Sequence, residues 1–264
     1  MNNQYENEEL LTGGNVSNVY RVGDTVRREV KSDSINIQKL LKHLENKTFH
    51  YAPKYLGVDE QGREILSFIE GVAGHDPLKE YMCSHYALKE IARMLRLYHD
   101  AVRDFPISDD WERMDNTPSE IEVVCHNDFA MYNIIFKDKK PVGIIDFDVA
   151  APGPRLWDIA YTLYTCVPLS RLFRTEKGEI VNYHSLEHAD HIKYRVKLFF
   201  EAYGEEIAED YVDMVLLRLE GLCQYMKRKA GEGDRAFQNM IHEGHLEHYQ
   251  QDIQFIQEHR KEWI

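Results

Sequence analysis

Three short segments carry side chains whose types and spacing could do chemistry. His126-Asn127-Asp128 follows an apolar run ending at Cys125, Asn133 stands five residues beyond Asp128, and Asp146 ends the segment P-V-G-I-I. Ile134-Ile135-Phe136 reads as one strand, 137–140 as a polar turn and 142–145 as a second strand. Two strands joined by a short polar turn form a hairpin. Such a hairpin gathers Asp128, Asn133 and Asp146 at one end. Two carboxylates and an amide oxygen suit a hard cation such as Mg2+, which takes oxygen ligands and shares them with phosphate. The plainer reading makes these acids turn and cap residues only. A third segment in order, P-G-P-R-L-W-D-I-A-Y with Asp158, argues for the chemical one.

Other elements must position these groups. Gly13-Gly14 opens a loop before strands expected over 19–22 and 25–30, with a turn at Gly23-Asp24. A glycine loop lets backbone N–H groups approach phosphates, although a Gly-Gly pair alone is more often just a turn. Arg27 and Arg28 point to opposite faces of their strand, so one faces a ligand and the other solvent. Residues 35–44 form an amphipathic helix with Ile37, Leu40, Leu41 and Leu44 on one face. Strands over 55–58 and 64–69 turn at Gln61-Gly62, and 71–77 reads as a linker. Residues 77–102 are mostly helical, and His99 on that apolar helix reads as a structural hydrogen-bonding residue. A loop over 104–119 leads back to the central segment. Helices are expected over 161–169, 188–203, 209–230 and 237–264, with a polar excursion at 175–185. His242, His245 and His248 recur every three residues, drift around a helix, and read as surface histidines rather than a metal site.

Composition narrows the partners. The 264 residues suffice for one large domain or two lobes, and 43% hydrophobic content can fill a core. A formal charge of -13 makes nucleic acid a poor partner and would suit a cationic substrate, although solubility alone explains it. Cys83, Cys125, Cys166 and Cys223 form no close pair or metal spacing; Cys125 and Cys166 sit in apolar runs and read as buried thiols, which fits a reducing cytoplasm. The opening M-N-N-Q-Y-E-N-E-E is polar and acidic, unlike a secretion signal, and no run matches a membrane span.

H-N-D-F-A-M-Y-N resembles a kinase catalytic loop, and I-D-F-D resembles the metal-binding segment that follows it. Without Arg between His and Asp, and with P-G-P-R-L-W-D-I-A-Y behind it, the stretch resembles the aminoglycoside phosphotransferase and choline kinase-like family. The resemblance implies an α+β, bilobal protein kinase-like fold. A small antiparallel β-sheet N-lobe would span 1–72 and a larger, mainly helical C-lobe 73–264. It also implies roles. Asp128 would orient and deprotonate an acceptor hydroxyl, and Asn133 and Asp146 would ligate Mg2+. His126 joins Asp128 in the catalytic loop, more as a brace than a proton carrier. Asp158 would hold the loop backbone. Asp148 would contact a second metal or water, or be only a loop residue. Gly13, Gly14 and Asn15 would cover the nucleotide, Arg28 would clamp its phosphates in place of the family's Lys, and Ser67, Phe68 and Ile69 would read the adenine edge. Arg is not a neutral substitute for Lys. The family's Glu partner for that cation falls near Ile37 or Gln38, and neither is acidic. Either Gln38 bonds the Arg, or the cation is held another way, or activity is impaired. The C-terminal helices would build the acceptor pocket, with Glu201, Asp213 and Glu220 as candidates.

The reading is therefore a Mg2+-dependent phosphotransferase. It would move the gamma-phosphoryl group of ATP or GTP to a hydroxyl of a small molecule, with a slight tilt toward a cationic acceptor and a link to antibiotic resistance. A cytoplasmic monomer without nucleic-acid or membrane partners is expected. The alternative is a weak or inactive kinase-like protein that sequesters a small molecule or peptide. The intact Asp128, Asn133 and Asp146 favour catalysis. Only eleven residues separate Asp146 from Asp158, too few for a peptide-docking activation segment.

Overall fold

The computed structural model describes residues 8–11, 19–31, 34–175 and 177–264. The first strands are β1 (Glu9–Leu11), β2 (Val19–Val22) and β3 (Thr25–Arg28). Helix α1 (Ser34–Asn46) follows, then β4 (Tyr55–Val58) and β5 (Glu64–Ser67). These strands pair antiparallel in the order β1-β2-β3-β5-β4. The stripe of Ile37, Leu40, Leu41 and Leu44 is buried, because the 3–4 spacing puts all four on one side of α1. β3 ends at Arg28 and β5 at Ser67, each two residues earlier than the sequence reading placed them. Phe68 and Ile69 therefore lie beyond the sheet. Gly13, Gly14 and Asn15 lie outside the described residues.

The chain then crosses to a second sheet. β6 (Val72–Ala73) pairs with β8 (Ile134–Lys137), which pairs in turn with β9 (Lys140–Ile144). Gly71 makes the crossing possible: at φ 152°, a Cβ there would stand 2.5 Å from Phe136 O. Only glycine combines that backbone angle with so close an approach. Between these strands lie α2 (Glu80–Cys83), α3 (His85–Val102) and β7 (Val123–Cys125). The Ser84 hydroxyl caps α3 by accepting from Ala87 N at 3.1 Å.

β10 (Ala151–Gly153) pairs antiparallel with β7, and α4 (Arg155–Cys166) begins at once behind it. The sequence reading started this helix at 161. Pro154, at its N-cap, needs no N–H partner there, so the helix opens six residues sooner. The excursion at 175–185 holds part of a hairpin, β11 (Leu172–Arg174) with β12 (Ile180–Asn182). Then come α5 (Ser185–Tyr203), α6 (Tyr211–Gly231), α7 (Arg235–His242) and α8 (His245–His259). The single helix expected over 237–264 is broken at Gly244, which takes φ 88°. α3 packs on α5, and α6 packs on α4, α7 and α8. The core runs through these helices around Tyr98, Trp157, Phe199 and Leu219. The result is an α+β fold: antiparallel sheets toward the N-terminus and a mostly helical remainder.

Candidate active site

The loop after β7 is held from beneath by Asp158, which α4 carries fully buried. Its Oδ2 accepts from His126 N at 2.7 Å and its Oδ1 from Asn127 N at 2.9 Å. His99 Nε2 donates to the same carboxylate at 3.1 Å and meets the Tyr203 hydroxyl through Nδ1 at 2.8 Å. Burial works against the Asp158 charge, but the His99 hydrogen bond and charge hold its pKa below the usual range. Asn127 sits at φ 63° and donates its side-chain amide to Val149 O at 2.8 Å. Asn tolerates this left-handed angle better than most residues. His126 is buried with its ring 4.4 Å from that of Phe147, and its Nδ1 accepts from Asp128 N at 3.2 Å. Burial drives its pKa down to about 4, so the ring is neutral and acts as a brace at neutral pH.

Asp128 is bracketed on both oxygens. The Tyr132 hydroxyl donates to Oδ1 at 2.5 Å, and Asn133 Nδ2 donates to Oδ2 at 2.7 Å. Tyr132 OH also lies 3.0 Å from Tyr161 OH. Burial pushes the Asp128 carboxyl up to about 7 and Asp146 adds to the rise, while the Tyr132 hydroxyl, Arg218 and Asn133 oppose it. A short 3-10 turn, Met131–Asn133, delivers Asn133 to the start of β8. Ile145 N then donates to Asn133 O at 3.0 Å and draws Asp146 alongside. Asp146 takes φ 65° and opens to the cleft. Its carboxyl is raised by burial and by Asp148, against Arg28 and Lys31. The hairpin thus brings Asp128, Asn133 and Asp146 together.

The cation beside them is built across strands. Arg28 stands opposite Glu64 in the β3–β5 register, and its Nε pairs with the fully buried Glu64 carboxylate. Its NH1 reaches Asp148 Oδ1 at 2.6 Å, and Lys31 Nζ reaches Asp148 Oδ2 at 2.6 Å. Gln38 on α1 donates to Glu64 at 3.1 Å. The acid sought on α1 is therefore supplied by β5, and Gln38 bonds that acid rather than the Arg. Arg27 turns to the other face, toward Thr25 and Asp59. Asp148 joins the two cations, so burial that would raise its pKa is outweighed and the carboxyl is held low.

A cleft of about 590 Å³ receives Arg28, Tyr132, Asn133, Asp146 and Asp148. Val26, Leu66, Ile135 and Ile145 give it apolar walls; Arg28, Asn133, Asp146 and Asp148 give it polar ones. Ser67, Phe68 and Ile69 line it too. Ser67 N donates to Lys54 O at 2.9 Å and Phe68 N to Asp24 O at 2.8 Å. The Ile69 N–H has no acceptor among the described residues.

The model of the phosphotransferase enzyme family matches residues 88–181. A trifolitoxin immunity protein from Rhizobium leguminosarum bv. trifolii is 34% identical over 205 residues, which cover 75% of each chain. This chain belongs to the phosphotransferase enzyme family. Solved structures place the fold. A putative aminoglycoside phosphotransferase from Ralstonia eutropha superposes with TM-score 0.61 at 13% identity, covering 96% of this chain and 92% of that one. The GDP complex of wild-type aminoglycoside 2'-phosphotransferase-IIIa gives 0.60 at 17%, covering 94% and 92%. A choline kinase from Cryptosporidium parvum gives 0.60 at 12%, covering 98% and 92%. The kinase-like architecture is common to the phosphotransferase enzyme family and to this chain.

Several groups at the site escaped the sequence reading: Glu64, Lys31, Tyr132, Tyr161 and Arg218. Glu64 had a signal, since the alternation of E-I-L-S points it to the same sheet face as one of the two arginines. Arg218 had none. Of the acids considered for an acceptor pocket, Glu201 and Asp213 lie in surface ion pairs, with Lys197 and Arg260. His242 and His245 fall on separate helices, and His248 engages Asp252 and Arg171. Among the described residues no group of three or more His, Cys, Asp or Glu could hold a metal, and no helix is long and apolar enough to cross a membrane.

Proposed function

We propose that this protein transfers the γ-phosphoryl group of ATP or GTP to a hydroxyl of a small molecule, with Mg2+ as the metal. The observation that carries the reading is the meeting of Asn133, Asp146 and Arg28 at one cleft, with Asp128 hydrogen-bonded to Asn133 beside it. The donor set fits Mg2+. Among the described residues no side chain donates to the Asp146 carboxylate, and Asn133 spends only its amide nitrogen on Asp128. A carboxylate without a side-chain donor and an amide oxygen therefore face one cleft, the hard donors this ion prefers. Mg2+ held by Asn133 and Asp146 would neutralise phosphate charge.

The chain's own groups do the rest. Val26, Leu66, Ile135 and Ile145 enclose a flat base, and Ile69 N–H reads its edge. Arg28, freed from Asp148, grips phosphate oxygens while Glu64 keeps it aimed. Asp128 orients the acceptor hydroxyl and takes its proton as transfer proceeds. The relationship to a trifolitoxin immunity protein supports a protective role, in which the acceptor is a toxic hydroxylated compound and phosphorylation blocks its action. The charge of -13 supports a cationic acceptor over nucleic acid. A second reading, a kinase-like protein that only sequesters its ligand, draws support from one feature: Glu64 and Asp148 already neutralise Arg28 and Lys31.

Calorimetric titration with ATP and GTP, with and without Mg2+, separates the two. Catalysis predicts Mg2+-dependent binding that Asp146→Ala abolishes, with slow hydrolysis of the bound nucleotide. Binding indifferent to Mg2+ favours sequestration, and no binding of either nucleotide sinks the phosphotransfer reading.

A further inference from the structure

Two guanidinium groups are deeply buried among the described residues, and they are treated differently. Arg195 gives its donors to three carbonyls, Val167 O at 3.1 Å, Cys83 O at 2.9 Å and Cys166 O at 2.7 Å. Arg218, 1% exposed on α6, gives one hydrogen bond, from NH2 to Asn127 O at 2.5 Å. Its Nε and NH1 have no acceptor among the described residues. Among the described residues no acid lies within ion-pair distance of it. Its guanidinium instead covers the rings of Tyr161, at 4.4 Å, and Trp157, at 5.3 Å. Cation–π contacts recover part of the lost solvation, but buried donors left unpaired remain costly. An apolar chain of similar length would serve packing better.

What Arg218 touches gives it a task. Asn127 is the residue before Asp128 and is held in a left-handed conformation at φ 63°. Asp158 holds its N–H and Val149 O its side chain; Arg218 holds its carbonyl. Tyr161, under the guanidinium, meets Tyr132 hydroxyl to hydroxyl at 3.0 Å, and Tyr132 donates to Asp128. Arg218 thus contacts both routes that orient Asp128, the backbone before it and the hydroxyl pair beside it. Gly221, one turn further along α6, allows this approach. A Cβ there would stand 2.1 Å from Asp115 O and 3.2 Å from the Trp157 ring.

We propose that Arg218 is a positioning residue for phosphoryl transfer, holding the Asn127 carbonyl and the Tyr161 ring so that the Asp128 carboxylate faces the acceptor. This rests on the phosphotransfer reading above. The test uses the full chain with Arg218→Met and Arg218→Lys. It reads urea unfolding, amide hydrogen exchange and Mg2+-dependent hydrolysis of ATP and GTP by water, which needs no identified acceptor. Arg218→Met keeps or raises the urea midpoint. Exchange accelerates about tenfold, and only over 126–133. The hydrolysis kcat falls about 100-fold with nucleotide KM little changed. Arg218→Lys restores part of kcat, because it keeps the charge and one donor. Turnover within about threefold of the parent in folded Arg218→Met overturns the proposal. So does a lowered midpoint with exchange faster throughout the chain, which marks a structural plug. If the parent hydrolyses neither nucleotide, the phosphotransfer reading fails by itself. Loop-restricted exchange then still decides whether Arg218 holds Asp128, and unchanged exchange over 126–133 overturns it.

Discussion

The loop around Asp128 and the strand cation Arg28 meet at one cleft but are held in different ways. Asp128 is fixed by directional hydrogen bonds from Tyr132 and Asn133, on a backbone pinned by Asp158 and Arg218. Arg28 is fixed by charge, between Glu64 from the neighbouring strand and Asp148 from beyond β9. Of the loop's supports, Asn133, Asp158 and Arg218 are buried, whereas the Lys31 side chain that shares Asp148 is 34% exposed. Hydrogen bonds weaken steeply with angle, so they define a direction, and a proton acceptor needs a direction. Ion pairs tolerate a range of geometries and exchange partners readily. A group that must leave Asp148 for a phosphate is better held that way.

Breaking the directional side should cost most. Asp128→Asn keeps the shape and removes the proton acceptor, so turnover of nucleotide should fall about 10³-fold or more. Urea unfolding should report a folded chain; near-parental activity would remove Asp128 from its role. Asp158→Ala leaves two backbone N–H groups and His99 without their buried acceptor. It should lose about 3–5 kcal/mol in urea unfolding, and a loss under 1 kcal/mol, roughly the worth of one hydrogen bond, would mean that the loop does not depend on it.

The same side is sensitive to acid. Buried His126 titrates near 4, against about 6.5 in an unfolded chain. Between these values the unfolded state binds a proton that the folded state refuses. From this residue alone, stability declines by about 3 kcal/mol as pH falls from about 6.5 toward 4, while Asp128, whose raised carboxyl takes up a proton in the folded state over the same window, works the other way. Denaturation midpoints across that window, compared with His126→Asn, isolate the effect, and parallel curves would contradict it.

The charge-held side should yield more gently. Glu64→Gln keeps a hydrogen-bonding side chain but removes the buried charge that aims Arg28. Nucleotide affinity should weaken by about tenfold, in line with a hydrogen bond to a charged group. Lys31→Ala should change unfolding by under about 1 kcal/mol, and less at high salt. If Lys31→Ala weakens nucleotide affinity more than Glu64→Gln does, the ranking drawn from exposure is wrong.

Much of the loop was legible because its parts are local. Val123 to Tyr161 contains the strand, the turn, the hairpin and Asp158, and the spacing alone places Asp128 near Asn133 and Asp146. The amphipathic stripe of α1 was legible for a similar reason, since a repeat of three and four has one buried face. Errors fell where punctuation was misread. The spacing of apolar residues points to a helix only from 161, although α4 starts at Arg155 behind Pro154, and it runs one helix over 237–264, although Gly244 breaks it. The polar stretch at 175–185 hid part of a hairpin because β12 is exposed on every residue, and an exposed strand carries no apolar alternation.

The partner of Arg28 marks the limit. Reading along the chain, an acid was sought on α1, and Gln38 stood in its place. Thirty-six residues after Arg28, Glu64 meets it through the strand register. The chain by itself determined the kinds of chemistry available: carboxylates and an amide on a hairpin, a cation on a strand, and an aspartate, Asp158, in the segment that follows them. Local spacing determines such things, because a few residues of strand or turn have few ways to point. The tertiary structure alone decided which charges meet, that Asp148 bridges Arg28 and Lys31, that Tyr132 and Tyr161 stand beside Asp128, and that Arg218 reaches the loop from α6. Those contacts depend on how strands register and how closely α6 packs on α4, and these are properties of the packed core that no single segment contains.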